Sequence, residues 1–331
     1  MSGLVFTITI NTAAMAGFSK TYLISSVAVI LATASSCIYD SSPQCPEEKV
    51  DVTICNDWNG APEATPEGMA YLFFMEGLAS PWRFDFPGRE AGKVSLPTGD
   101  YRFVMFNDDT SDIVFDKDSE GIPVATTRAD SGYTEGIADN VRQAPDMMWS
   151  ASIRKVMVSE DRVEYTSGDS LAGGNGSYKI ITEPVQITPQ FRVKVLKVEN
   201  LQGVSAMKGV ITGMASGINI YEQSRKGPDT AVSFSPEVCA DSTVRAVFNT
   251  FGRPDGLDVR NYLKLCFLLS DGRIVCEVYE VTAKILAAPD PMRIELVIDS
   301  VSLPYAPPAG SGGAFDPQVA GWITVVVNYE V

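Results

Sequence analysis

Most of the readable sequence alternates apolar and polar side chains with a period of two, and this alternation constrains the fold more than any other feature. Phe191, Val193 and Val195 alternate with charged residues, and the final segment, residues 321–331, has the cleanest pattern. Residues 101–106 carry apolar side chains on both faces of one predicted strand. No stretch of fifteen residues keeps a period of 3.6, so long helices are not expected. The sequence therefore predicts an all-β protein, built from sandwiches.

Clusters of Pro, Gly, Asp and Asn separate the predicted strands and have the composition of turns. The Gly-rich stretch 167–177 cannot build a core by itself, so we predict a long loop there. The length of 331 residues suits about two domains. We place their boundary near Pro184, which predicts an N-terminal β-sandwich domain over residues 37–184 and a C-terminal one over residues 185–331.

The chain contains no histidine, which excludes several classes of site. Ser-His-Asp and Cys-His nucleophiles, HExxH zinc sites and histidine-ligated haem all need that side chain. With 26 Lys and Arg against 41 Asp and Glu, the formal charge of −15 argues against a nucleic-acid partner, which needs a basic face. We expect no cofactor, no metal and no enzymatic activity, because an acidic, histidine-free chain is more typical of a binding or structural module.

An export signal is predicted at the N-terminus. Residues 22–36 form an uncharged apolar run after Lys20, and a run of this length is typical of a signal-peptide core, whereas a membrane span needs roughly 20 residues. Three small residues precede Cys37, and the junction resembles the lipobox of bacterial lipoproteins. In such proteins the cysteine thiol is acylated and the cysteine becomes the first residue of the mature chain.

The signal peptide is thus predicted over residues 1–36, with lipidation at Cys37. Met15 is a more conventional start than Met1, so we interpret residues 1–14 as a start-site artefact. A lipid tether, rather than a spanning helix, would hold the mature chain at the membrane. The alternative is an ordinary secretory signal that leaves Cys37 as a free or disulfide-bonded thiol.

The segment around Cys266 and Cys276 has the pattern of a β-hairpin. A type I turn at Asp271-Gly272, with the glycine in a left-handed bulge position, pairs Leu269 with Arg273. That register places Cys266 directly opposite Cys276, so a disulfide can form in an oxidising compartment. A two-residue turn would instead send the two cysteines to opposite faces, and two reduced core cysteines are the other alternative.

The remaining cysteines are assigned more simply. Cys45 and Cys55 lie close together near the mature N-terminus and are the other candidate disulfide pair. Cys239 is then left without a partner, and we expect it to be buried.

Acidic clusters are the candidate chemical sites. Asp116, Asp118 and Glu120 begin like a calcium loop, but the sequence lacks the glutamate that such a loop needs at its twelfth position. Carboxylates at 108, 109 and 112 include enough acids for a glycosidase pair, although the sequence does not reveal their separation. In both cases we favour solvated acidic turns.

The tryptophans are candidates for stacking on sugars. Trp58, Trp82, Trp149 and Trp322 supply the necessary flat rings. A tryptophan within an apolar strand is more often a core anchor, and we favour that role for Trp149 and Trp322.

Short motifs across nearly the whole mature chain resemble one family. They include Pro81-Trp-Arg-Phe-Asp-Phe-Pro-Gly88, Leu96-Pro97-x-Gly99-x-Tyr101, Pro145-Asp-Met-Met-Trp149, Val198-Glu-Asn-Leu201, Ala288-Pro-Asp-Pro291 and Gly312-Gly-x-Phe-x-Pro317. The pattern is similar to that of fimbrillin-like lipoproteins of Bacteroides-type bacteria, a family of unknown function related to minor and anchor subunits of type V pili. The resemblance implies two tandem transthyretin-like (Greek-key) β-sandwich domains after a lipoprotein signal peptide.

The same resemblance implies a role for the C-terminal strand. In type V pili, a C-terminal strand of one subunit completes the open sheet of the next through main-chain hydrogen bonds. Here that strand would carry its apolar face on Ile323, Val325, Val327, Tyr329 and Val331. It is either such a donor or a resident strand of the C-terminal sandwich, and we favour the resident role.

Together these features predict a surface lipoprotein that acts as a minor, anchor or tip-type fimbrial subunit in cell adhesion or pilus assembly. Its expected partners are the outer membrane, through the lipid, and other fimbrial subunits, through strand complementation. A surface glycan-binding lipoprotein, with a glycan or protein ligand, is the alternative. A carboxylate-dependent glycosidase is a more remote one.

Overall fold

The structure, a computed structural model, describes residues 49–78, 80–130, 140–168, 170–239 and 242–308, and the backbone of strand 325–329. Cys37, Cys45, Trp322, Ile323 and Val331 lie outside the described residues. Among the described residues, no helix has the length and apolar character needed to cross a membrane.

The described chain consists of strands and one short α-helix. In chain order the strands are β1 (Lys49–Asn56), β2 (Gly68–Met75), β3 (Trp82–Pro87), β4 (Lys93–Pro97), β5 (Gly99–Asn107), β6 (Ile113–Lys117), β7 (Pro123–Thr127), β8 (Val141–Gln143), β9 (Trp149–Ser159), β10 (Arg162–Ser167), β11 (Ser170–Asn175), β12 (Lys179–Thr182), β13 (Val185–Gln186), β14 (Gln190–Val195), β15 (Val198–Glu199), β16 (Val204–Asn219), β17 (Ser224–Phe234), β18 (Glu237–Val238), β19 (Val244–Asn249), β20 (Tyr262–Leu269), β21 (Ile274–Glu280), β22 (Arg293–Ile298), β23 (Val301–Ser302) and β24 (Val325–Tyr329). A 3₁₀ turn spans Leu201–Gly203, and helix α1 spans Thr282–Leu286. The all-β class and the sandwich architecture predicted from the sequence are confirmed, whereas the transthyretin-like topology stays a prediction.

The first sandwich packs a three-stranded sheet, in the order β12-β1-β4, against a seven-stranded sheet. The larger sheet has the order β11-β10-β9-β5-β2-β3, with β13 paired to β9. Alternate residues of the strands in both sheets fill one apolar core, including Val52 and Leu96 from the smaller sheet and Phe73 and Phe103 from the larger. This inward row is the one that the period-two pattern predicts.

The second sandwich packs a four-stranded sheet, β18-β19-β14-β22, against an eight-stranded sheet. The larger sheet runs β24-β21-β20-β16-β17-β8, and β7 pairs with both β16 and β6. Phe191, Leu265, Phe267 and Leu296 are among the buried side chains that fill the core between the two sheets. A separate pair of short strands, β15 and β23, extends this half of the chain.

A third apolar cluster, which we call the junction cluster, joins the two sandwiches. It contains the outward residues of β2 and β5, among them Leu72, Phe74 and Phe106, together with Ile218 from β16 and Phe251 from the loop after β19. The inward residues of the same two strands belong to the first core. The large sheet of the first sandwich is therefore apolar on both faces at β2 and β5, as strands buried on both sides require.

The chain crosses between the sandwiches before the predicted boundary. Strands β6, β7 and β8 precede Pro184 in sequence, but they pair within the eight-stranded sheet of the second sandwich. Residues 48–331 cluster as one compact unit. Pro184 lies between β12 and β13, and its role as a domain boundary stays a prediction.

The Gly-rich segment corrects one expectation. We predicted a long loop over residues 167–177, but residues 170–175 form β11, which pairs along its whole length with β10. Glycine lacks a side chain to pack but retains both backbone hydrogen-bonding groups, so it can extend a sheet at an exposed edge. A Cβ atom at Gly173 would lie 2.1 Å from the Val163 carbonyl oxygen, so this strand needs glycine for the close approach.

The junction cluster predicts that the two sandwiches unfold together. Replacing Phe251 by alanine removes a side chain that is 1% exposed, and it should cost about 3–5 kcal/mol of unfolding free energy. In a Trp322→Phe background, tryptophan fluorescence reports only the first half of the chain, and circular dichroism reports both sandwiches. The two signals should give one urea midpoint, lowered equally by Phe251→Ala.

Tyr305→Ala is the control, because Tyr305 is 69% exposed and its loss should change the midpoint little. A fluorescence midpoint that stays fixed while the circular dichroism midpoint falls would show that the sandwiches unfold independently.

Candidate functional site

One strand of the first sandwich is only partly paired along its outer edge. The C-terminal part of β9 pairs with β10, from Val156 opposite Tyr165 onward, and its N-terminal end pairs with β13 through Ser150 and Val185. Between these contacts, residues 151–155 have no partner strand on this side within the described chain. We call this opening the β9 lane. At about 3.4 Å per residue it is about 17 Å long.

The sequence explains why both neighbouring strands leave β9. After Tyr165, β10 continues with β11, and Gly168 ends it with a positive φ of 58°. On the other side, the chain crosses from the small sheet, where Thr182 pairs with Asn56, to the large sheet at Val185. Pro184, at this crossing, has no N–H to donate to β9. The lane therefore opens where the chain changes sheets.

The β9 lane is the mouth of a cleft of about 560 Å³. Ile153 and Tyr165 line the cleft and also belong to the first core. Ile181 and Val185 line it as well, although they are 44% and 43% exposed. Exposed aliphatic side chains beside an open strand edge leave apolar area uncovered in the free protein.

Charged and polar side chains form the rim of the cleft. Arg154, Glu183 and Glu222 line it, together with Tyr221 at the tip of the β16–β17 hairpin. Tyr221 is partly buried, and this burial raises the pKa of its hydroxyl, an effect opposed by the nearby guanidinium groups of Arg102 and Arg154. Arg102 is paired with a glutamate, whereas Arg154 has no ion-pair partner among the residues that the structure describes.

The hairpin register around Cys266 and Cys276 is the bulged register predicted from the sequence. Cys266 lies directly opposite Cys276, and the Leu269 N–H donates to the Arg273 carbonyl oxygen at 2.8 Å. Gly272 has a φ of 84°. The structure joins the two cysteines by a disulfide, with their Cα atoms 4.1 Å apart.

The other described cysteines are free thiols. Cys55 and Cys239 are both partly exposed, so the expectation that Cys239 is buried is wrong: it directly follows β18, a short strand at a sheet edge. Pairing of Cys55 with Cys45 stays a prediction, as does lipidation of Cys37, because Cys45 and Cys37 lie outside the described residues.

Residues 325–329 of the predicted C-terminal strand form β24, the last strand of the eight-stranded sheet. Their backbone runs parallel to β21, with Val325 opposite Val275, Val327 opposite Glu277 and Tyr329 opposite Tyr279. This pairing is the arrangement of a resident strand, and the choice between resident and donor roles stays a prediction.

The candidate glycosidase carboxylates are used in structural contacts. Arg83 pairs with Asp108 at 2.6 Å, and partial burial raises the pKa of this carboxyl against the opposing effect of the arginine. Asp109 accepts hydrogen bonds from the Glu67 N–H and the Asn107 side chain. The backbone N–H of Asp112 donates a hydrogen bond to the carboxylate of Asp146.

The segment that begins like a calcium loop is the turn between β6 and β7. Asp118 accepts the backbone N–H groups of Glu120 and Ile122, both at 2.9 Å, and the Asn219 amide at 3.0 Å. The Asp118 carboxylate thus fixes the turn and the nearby end of β16. Within the described chain, no group of three or more Cys, Asp or Glu side chains is placed to hold a metal ion.

The described tryptophans are partly or wholly covered. Trp58 is buried and donates to the Arg89 carbonyl oxygen at 3.0 Å, and Trp149 packs against the first core. Trp82 lies under the Lys49 ammonium, 4.8 Å from the ring centre. These three rings do not form an exposed stacking surface for a sugar.

Glu277 is the only carboxylate that is buried among the described residues. It lies opposite Leu265 on β20, so its side chain is on the face of the sheet that lines the second core. Its Oε2 atom has no hydrogen-bond partner in the described chain. Burial alone raises the pKa of this carboxyl, so no second carboxylate acts on it as in a glycosidase pair.

The disulfide predicts a measurable contribution to stability. Replacing both Cys266 and Cys276 by alanine should cost about 3 kcal/mol, the loop-closure value for a bridge between residues this close in sequence. Urea unfolding measures the loss, and non-reducing peptide mapping of the exported protein should find the linked peptide. A Cys55→Ala/Cys239→Ala variant is the control. Complete alkylation of Cys266 and Cys276 in the native protein would contradict the prediction.

Glu277 predicts a dependence of stability on pH. A raised native pKa means that the folded protein binds this proton more tightly than the unfolded chain does. The contribution is therefore most favourable below the ordinary pKa of 4.5 and is lost as the pH rises through the native pKa. Urea unfolding from pH 4 to pH 8 should show Glu277→Gln gaining stability over the wild type towards pH 8. Glu280→Gln, on the same strand but exposed, is the control, and identical profiles for the wild type and Glu277→Gln would overturn this prediction.

Comparisons with known proteins place this geometry in a wider group. The profile of a family described as a domain of unknown function (DUF5119) matches residues 44–235. No curated protein sequence matches the chain. Among solved structures, a candidate adhesin from Bacteroides ovatus is similar at 18% identity and a TM-score of 0.58, with 78% of this chain and 93% of that chain covered.

Two further structures are similar at lower TM-scores. The fimbrial anchor protein Mfa2 from Porphyromonas gingivalis has 15% identity and a TM-score of 0.47, with 75% of this chain and 90% of that chain covered. A candidate polysaccharide-binding protein from Bacteroides thetaiotaomicron has 11% identity and a TM-score of 0.47, with coverages of 75% and 89%.

The likeness to the Bacteroides ovatus protein confirms, at the level of the fold, the resemblance predicted from the sequence motifs. Because the family profile spans more than half of the sequence, the chain belongs to the DUF5119 family.

Proposed function

We propose that the protein is a lipid-tethered surface subunit of fimbrial type, a minor, anchor or tip subunit that acts in adhesion or pilus assembly. The observation that carries the proposal is the all-β fold shared with the candidate adhesin of Bacteroides ovatus over 78% of the chain. The motif resemblance to fimbrillin-like lipoproteins supports the same role. A binding role fits the acidic residues better than a catalytic role does. The carboxylates of Asp108, Asp109 and Asp118 are already engaged in ion pairs or hydrogen bonds within the fold.

The tether is assigned to Cys37. Acylation of its thiol after removal of residues 1–36 would place the protein in the outer membrane by lipid alone. Eleven residues separate Cys37 from the start of β1 at Lys49, and a fully extended segment of that length reaches about 40 Å. The mature chain would carry a formal charge of −16, because Lys20 is the only charged residue removed.

Contacts with other subunits are assigned to strand edges. The eight-stranded sheet ends at β24, and a terminal strand presents backbone groups that can pair with another chain. We assign residues 325–329 as a resident strand, because their backbone pairs with β21. A donor role would require the same segment to leave this sheet and enter that of a partner.

The tether predicts where a Cys37→Ala variant is found. In the native host this variant should move from the membrane fraction to the soluble fractions and should incorporate no labelled fatty acid, because its attachment point is gone. Protease added to whole cells should digest the wild-type protein if it faces outward. Cys239→Ala is the matched control and should keep both the label and the location. Unchanged labelling of Cys37→Ala would overturn the lipoprotein assignment, and protection of the wild type from protease would overturn surface exposure.

A further inference from the structure

We propose that the β9 lane binds an extended peptide segment of a partner protein by strand addition. The lane is formed by residues of β9 and its neighbours, and neither Cys37 nor any residue of β24 is among them. The proposal therefore goes beyond the surface role, and its failure would leave the tether and the fimbrial assignment intact.

The backbone of β9 supplies the first argument. The Ile187 N–H donates to the Met148 carbonyl oxygen at 2.9 Å, and Ser150 pairs with Val185. Strand residues direct their backbone groups alternately to the two sides, so Ser152 directs its N–H and C=O into the lane. Within the described chain, no backbone hydrogen bond fills that position. A peptide strand placed there supplies the partner that β10 and β13 supply on either side.

The side chains supply the second argument. A peptide antiparallel to β9 would be collinear with β10 and β13, and its residue opposite Ile153 would face the first core, on the same side as Ile153 itself. Ile181 and Val185 border the same space with more than two-fifths of their surface exposed. An aliphatic or β-branched side chain at that position of the peptide would cover them.

Charge selects the neighbouring peptide residue. Arg154 is exposed on the outer face of the lane and has no ion-pair partner among the described residues. A peptide residue opposite it lies on the same face, at cross-strand distance. We therefore assign an acidic residue to that position, followed by apolar, polar and apolar residues opposite Ile153, Ser152 and Ala151. The β-bulge between Ile153 and Val156 ends this alternation at Arg154.

A peptide fits the lane better than a sugar does. Sugar sites depend on an exposed aromatic face, whereas the Tyr165 ring is 5% exposed and its hydroxyl accepts the Ile181 N–H at 3.1 Å. An open strand edge with aliphatic neighbours matches the requirements of β-augmentation, in which main-chain hydrogen bonds give affinity and alternate side chains give specificity.

Amide hydrogen exchange followed by NMR tests the proposal, with the peptide Val-Asp-Val-Thr-Val, blocked at both ends, as the probe. In the free protein the Ser152 amide should exchange much faster than the Met157 amide, which belongs to the stretch paired with β10. Peptide at about ten times its dissociation constant should slow exchange at Ser152 about tenfold. In Val-Asp-Val-Pro-Val the residue opposite Ser152 is proline, which has no N–H, so this control peptide should bind at least severalfold more weakly.

Variants of the protein identify the contact surface. Arg154→Glu should weaken the binding of Val-Asp-Val-Thr-Val and strengthen the binding of Val-Lys-Val-Thr-Val. Partial unfolding of the variant would not produce this reversal. Val185→Asp should weaken the binding of both peptides. Leu171→Asp is the matched control, because Leu171 is 64% exposed on β11, outside the lane, and its change should leave binding intact.

Four results would each overturn the proposal. Slow exchange of Ser152 in the free protein would mean that the lane is already closed. Equal binding of the proline-containing peptide would exclude strand addition, and protection confined to residues outside 149–159 and 181–186 would place the peptide elsewhere. A glycan that slows exchange at Ser152 when the peptide does not would assign the cleft to sugars.

Discussion

The junction cluster is the contact on which the rest of the architecture depends. Strands β2 and β5 send alternate side chains into two different cores, so Tyr71 and Phe73 fill the first sandwich while Leu72 and Phe74 pack towards the second. A sheet that is apolar on both faces cannot remain exposed on one of them. The second sandwich and the crossing strands β6 and β7 provide the cover. A rigid connection between the two sandwiches follows from this burial.

The same constraint bears on function. Two β-sandwiches joined by a buried apolar cluster transmit force as one body, since a hinge between them would expose Leu72, Phe106 and Phe251 to water. That property suits a protein held at one end and contacted elsewhere. The long strand β16 reinforces the connection, because its Ile211 and Met214 belong to the second core while its Ala215 and Ile218 belong to the junction cluster.

The β9 lane arises from how the first sandwich is closed. The chain leaves the small sheet after Thr182 and joins the large sheet at Val185, so one short crossing serves both sheets. Pro184 cannot pair with β9, and β10 has already turned towards β11. Closing the sandwich at this point therefore leaves part of the β9 edge without a neighbour. The position of the cleft follows from a change of sheets, and no side-chain motif marks it.

Sequence reasoning succeeded where the determining interactions are local. Residues 101–106 and 191–195 were predicted as strands because their alternation is visible in a few residues, and the Cys266–Cys276 register followed from the turn at Asp271-Gly272. It failed for the glycines of β11, because strand formation there depends on the neighbouring edge of β10. The site was missed for the same reason: Ser152, Ile181 and Val185 are unremarkable residues until two sheets bring them together.

By itself, the sequence determined the all-β class, the inward and outward residues of most strands and one hairpin register. The inward and outward residues can be read from the sequence because successive side chains in a strand point to opposite faces of the sheet. It also excluded histidine chemistry, because the residue is absent. Only the tertiary structure decided that β6, β7 and β8 serve the second sandwich, that β2 and β5 are buried on both faces and that β9 has an open edge. These features depend on which distant strands become neighbours. That choice is made by burial of apolar surface across the whole molecule, and no local pattern encodes it.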